Sequence, residues 1–63
     1  MLMAVKCYPK NLQLGDRILL INHTYIITGI EGPDKIGSYD LQLIDDYNNK
    51  RLEIVLEPVT ILM

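Results

Sequence analysis

A thiol and an imidazole are the smallest pair that can run nucleophilic catalysis, the imidazole taking the thiol proton. This chain has one of each, Cys7 and His23. Cys7 lies in the apolar run "LMAVKCY", where a thiol reads as an inert small hydrophobe. His23 follows Asn22 in "INHT", where a hairpin tip calls for polar residues. No G-x-S-x-G, H-E-x-x-H, Walker loop or G-x-G-x-x-G is present, so an enzyme is not expected. One cysteine and one histidine fall short of the four ligands of a structural zinc site. The pair Asp45-Asp46 lacks the alternating oxygen ligands and closing glutamate of a calcium loop, and reads as a solvated turn. Neither a metal nor another cofactor is expected.

The residues suited to binding are of a different kind. "EGPDKIGSYD" sets Lys35 between the turn chemistry of Gly32-Pro33-Asp34 and Gly37-Ser38. Lys35 is then a flexible point charge near a hairpin apex. Ile36 beside it either folds back onto the body or meets a partner. Four tyrosines supply all the aromatic content. Tyr25 and Tyr39 read as core or rim residues, and Tyr8 and Tyr47, beside turns, as exposed ones. Lys10, Lys35, Lys50 and Arg51 form a basic patch only if the fold gathers them at one end. The candidate contact residues are Lys35, Ile36, Gly37, Tyr8, Tyr47 and Lys50.

Short β-branched runs separated by turn residues must position these groups. Strands are expected over Leu2 to Tyr8, Arg17 to Ile21 and Thr24 to Glu31, with Asn22-His23 as the tip between the last two. Gly29 inside the third run marks a bulge or bend. "YDLQLID" alternates Tyr39, Leu41 and Leu43 with Asp40 and Gln42, a half-buried strand. "DYNN" is a turn. "KRLEIVLE" follows, its apolar row Leu52, Ile54 and Leu56 set against Arg51 and Glu53. Pro58 ends it, and "VTILM" is a last short strand. The expected fold is all-β, a single small five- or six-stranded SH3-like barrel over residues 1–63. The apolar ends "MLMAV" and "VTILM" pair with each other or with another chain, which makes a homo-oligomer through terminal strands one possible assembly.

At 63 residues and a net charge of −2, broad electrostatic attraction to phosphate is disfavoured. Lys6 interrupts the N-terminal apolar run too early for a signal-peptide core or a membrane span. A cytoplasmic protein with no membrane partner is the expectation.

The order of features resembles the N-terminal SH3-like (KOW-type) domain of bacterial elongation factor P and of archaeal and eukaryotic translation initiation factor five-A. The resemblance covers about Leu12 to Glu57. "LQLGDRILLINHTYIITGIE" is similar to that family's glycine turn, strand, polar hairpin and second strand. "GPDKIGSYDLQLIDDYNNKRLEIVL" is similar to its lysine-and-glycine loop, strand, polar turn and strand. The resemblance implies that Lys35 is the tip residue, which in the family is often extended by modification and reaches toward the peptidyl-transferase centre. It implies Gly37 as the loop-closing glycine and Gly15 as the first turn. The function it implies is a binding module that touches RNA or the ribosome through Gly32–Ser38. The alternative reading is a protein-interaction or structural module, of the kind found among small accessory or virus-encoded proteins, that self-associates or docks on a protein partner.

Overall fold

The computed structural model describes residues 3–63. Six strands follow one another: β1 Ala4–Cys7, β2 Arg17–Leu20, β3 His23–Glu31, β4 Tyr39–Ile44, β5 Lys50–Val55 and β6 Val59–Leu62. A single 3-10 turn, Pro9–Asn11, interrupts them after β1; it opens on a proline whose missing N–H costs nothing at a helix start. The strands form one antiparallel sheet in the order β1-β6-β2-β3-β4-β5. The all-β expectation holds, with six strands.

β3 makes the sheet curl. Its first half pairs with β2 from Leu20↔His23 to Arg17↔Ile26, and its second half pairs with β4 out to Glu31↔Asp40. The register shifts between Ile27 and Gly29. A bulge adds twist and bends the strand, so one long strand serves both halves of a small barrel-like fold. Glycine suits the bend, since a Cβ on Gly29 would lie 3.3 Å from Gln42 Cβ and push the Gln42 carboxamide aside. The core then draws on both halves: Leu12, Ile18, Tyr25, Ile27, Leu41, Leu43, Val55 and Val59. Ile18, Ile27, Leu41 and Leu43 are the most deeply buried.

Three local expectations are corrected. The β2–β3 tip is Ile21-Asn22, not Asn22-His23, because Leu20 pairs with His23. Both tip residues have positive φ, 45° and 65°, as a type I′ turn requires. A β-branched residue is poorly suited to the first of these positions. The first strand begins at Ala4 and ends at Cys7; Leu2, where it was expected to start, lies outside the described residues.

The third correction concerns β5. The row Leu52, Ile54 and Leu56 does not face the core: all three are exposed, while Val55 is buried and Glu53 half-buried. The turn decides this. Asp45 and Asn49 close a hairpin that sets Leu43 opposite Arg51, Leu41 opposite Glu53 and Tyr39 opposite Val55. Partners directly opposite share a face, and a one-residue slip would exchange the faces of the whole strand. Since Leu41 and Leu43 point inward, Arg51, Glu53 and Val55 must lie on that side too. Arg51 stays half in solvent there, its Nη2 3.4 Å from Glu53 Oε1 and its guanidinium 5.9 Å from the centre of the Tyr25 ring. This is ion pairing and cation–π contact at the rim.

The chain ends pair with each other. β1 lies beside β6 from Ala4↔Leu62 to Cys7↔Val59, and Met3 and Met63 exchange backbone bonds of 2.9 and 2.8 Å. β6 is thereby enclosed between β1 and β2.

Candidate functional site

The loop carrying Lys35 is built by one carboxylate. Asp34 Oδ1 accepts the N–H of Ile36 at 3.0 Å and of Ser38 at 2.8 Å. The Asp34 N–H reaches Ser38 O at 2.9 Å, and the Gly37 N–H returns to Asp34 O at 3.1 Å. Gly37 adopts φ 90°, which only glycine enters freely. Lys35 and Ile36 are what remains: two tip residues with side chains in solvent, Ile36 at 73% exposure. Ile36 has not folded back.

The β4–β5 turn repeats the device residue for residue. Asp45 Oδ1 accepts the N–H of Tyr47 and of Asn49, each at 2.8 Å. The Asp45 N–H reaches Asn49 O at 3.1 Å, and the Asn48 N–H reaches Asp45 O at 3.2 Å. Asn48, at φ 64°, takes the place of Gly37; asparagine is the residue after glycine best suited to that region. The bond from the Asn49 N–H is the main reason the Asp45 carboxyl sits below its ordinary 3.8, with the Asn49 side chain, the Tyr47 N–H and the charge of His23 adding to it against a desolvation penalty. Asp46 and Tyr47 stand at this tip as Lys35 and Ile36 do at the other, Tyr47 being 85% exposed. The shared spacing Asp-x-x-Gly/Asn-x was open to view in the sequence and was missed as a signal.

These two tips lie at opposite ends of β4, roughly 17 Å apart for six strand residues. The candidate residues therefore divide. At the first end, Tyr8, Pro9 and Lys10 from the 3-10 turn meet Pro33 and Gly37 from the loop, Tyr39 from the start of β4 and Leu56 from the end of β5, around a groove of about 320 Å³. Tyr8 is exposed, and Tyr39 half-buried against the core. At the other end, Tyr47 joins Asn22, His23 and Asp45 around a polar groove. Lys50 lies beside Arg51 and Leu52 in a third depression that also takes in Thr28 and Gln42. The four basic residues do not form one patch: Lys10 and Lys35 belong to the first end, Lys50 and Arg51 to β5. Sequence reasoning missed Leu56, Pro9 and Pro33 as groove residues, because nothing local links the three segments.

Cys7 and His23 are not brought together. Two strands, β6 and β2, stand between their own in the sheet, and the thiol is directed to the Tyr8 carbonyl at 3.5 Å. Among the described residues no cluster of three or more metal-ligating side chains occurs, and no helix is long and apolar enough to cross a membrane.

Comparison with protein-family models, with curated proteins and with solved structures finds no match.

Proposed function

We propose that the protein is a non-enzymatic binding module that docks an extended, proline-rich segment of a protein partner in the groove beside the Gly32–Ser38 loop. The observation that supports this reading is the lining of that groove: two tyrosines, two prolines and a leucine, with Lys10 at its border. Aromatic-lined grooves take polyproline-II segments because the ligand is already ordered and the rings offer flat apolar contact. Lys35 and Ile36, at the loop tip built by Asp34, belong to the same loop as the lining residues Pro33 and Gly37. The reducing cytoplasm suits the single unpaired thiol.

A second reading, contact with RNA or the ribosome through the same loop, has one observation in its favour. Lys10 and Lys35 fall at the same end as Tyr8, which pairs backbone attraction with a ring on which a base stacks. The net charge of −2 weighs toward the protein partner.

The test is calorimetric titration with a short proline-rich peptide. Binding that is lost in Tyr8→Ala and kept in Tyr47→Ala supports the groove. Equal loss in both variants, or no binding by the parent protein, overturns the reading.

A further inference from the structure

The sheet ends in two strands, β1 and β5, each with one hydrogen-bonding edge unpaired within the sheet. A free edge invites another strand, and proteins commonly guard it with short strands, bulges or outward charges. β1 is guarded: it has four residues, and Lys6 stands exposed within it. β5 carries charges too, Lys50 at its outer start and Arg51 and Glu53 on the inner face, but it is longer and its outer face is otherwise apolar. It pairs with β4 through six consecutive residues with no register shift. Its outer face carries Leu52 and Ile54, 62% and 68% exposed, and Leu56 continues the row just beyond the strand at 54%.

We infer that β5 pairs antiparallel with β5 of a second copy, about a two-fold axis through Ile54. The sequence itself selects both partner and register. Pairing centred on Ile54 sets Leu52 against the second copy's Leu56 on the outer face, with Ile54 against its own counterpart. On the inner face it sets Glu53 against Val55 and, with the strand extended past Val55, Arg51 against Glu57. The apolar row is closed and the end charges are opposite. Centring on Glu53 puts Glu53 against Glu53. Centring on Val55 puts Glu53 against Glu57. Centring on Leu52 opposes Arg51 and Glu53 but sets Ile54 against Lys50. Like charges directly opposite each other destabilise a strand pair. Of these registers the one on Ile54 alone closes the whole apolar row without setting like charges opposite, and like any two-fold interface it is self-complementary. β5 is neither of the terminal strands β1 and β6, so this contact differs from one through them. It shares Leu56 with the groove, but its test does not depend on peptide binding.

Sedimentation equilibrium tests it, from micromolar to millimolar protein, on the parent chain and on Ile54→Lys, Glu57→Arg and Arg51→Glu/Glu57→Arg. Circular dichroism checks that each is folded. The parent chain forms a dimer in this range. Ile54→Lys places two lysines at the axis and weakens the dimer by about a hundredfold or more. Glu57→Arg weakens it by setting two arginines opposite, and the double exchange restores it, which a merely structural role for Glu57 would not do. A parent chain that stays monomeric throughout overturns the inference. So does a dimer that Ile54→Lys leaves unchanged, or one that the double exchange fails to rescue.

Discussion

Replacing Ile54 and Ile27 by alanine makes the same chemical change on the two faces of one curled sheet, and the fold requires very different costs. Ile27 is 1% exposed and touches the core on all sides, so its truncation leaves a cavity and costs about 2–5 kcal/mol. Ile54 is 68% exposed, so folding hides only about a third of it. Full burial of such a side chain stabilises by about 1.5–3 kcal/mol, so a third is worth about 0.5–1 kcal/mol, and alanine retains part of that. The expected cost is below about 1 kcal/mol. A domain of this size has about 3–5 kcal/mol in hand, so Ile27→Ala removes most of it, and Ile27→Val, at about 0.5–1.5 kcal/mol, supplies the measurable companion. The assay is urea denaturation followed by circular dichroism, at low micromolar protein so that association through β5 does not enter. If Ile54→Ala costs more than about 2 kcal/mol, β5 presents the opposite face and the register argument fails.

Ile21→Asn relieves a β-branched residue at φ 45° on an exposed tip and should stabilise by about 1 kcal/mol, read as a rise in thermal midpoint; a fall would show that Ile21 makes a contact the fold does not display. Gly32→Ala should cost at least about 2 kcal/mol in the same melt, because φ is 125° and the added Cβ would lie 2.8 Å from the Ser38 carbonyl oxygen; a neutral result would refute the loop geometry. Asp45 has its folded pKa depressed, so its contribution is full above the unfolded value and disappears as pH falls through the folded one. Denaturation midpoints of Asp45→Ala should therefore fall less than those of the parent chain as the medium is acidified below about pH 4, and parallel curves would contradict that.

How much of this the sequence disclosed depends on where the deciding interaction lies. β4 was legible because alternation and burial coincide in it: Leu41 and Leu43 point inward, and Asp40 and Gln42 point outward. Gly29 was legible because a glycine among β-branched residues has few other uses. β5 misled because its more apolar row is the outer one. Its facing is set in the preceding turn, by Asp45 closing onto Asn49, and turn geometry outranks strand composition there. The turn itself was read, and the parallel with Asp34 and Gly37 would have fixed where it closes. At the candidate site, the exposure of Lys35, Ile36, Tyr8 and Tyr47 followed from local turn chemistry. Their division between two ends did not, since it needs the length of β4 and the pairing of strands distant in sequence. The groove was hidden for the same reason: Tyr8, Pro33 and Leu56 meet only when the sheet has curled.

The most direct test of the proposed function is an amide shift map of labelled protein, titrated separately with a proline-rich peptide and with a structured RNA hairpin, each at low and moderate salt. The account predicts peptide-induced shifts centred on Tyr8, Lys10, Gly37, Tyr39 and Leu56 that persist as salt rises. Shifts produced by the RNA alone, centred on Lys35 and fading with salt, would contradict it in favour of the nucleic-acid reading. Shifts from neither ligand would contradict both.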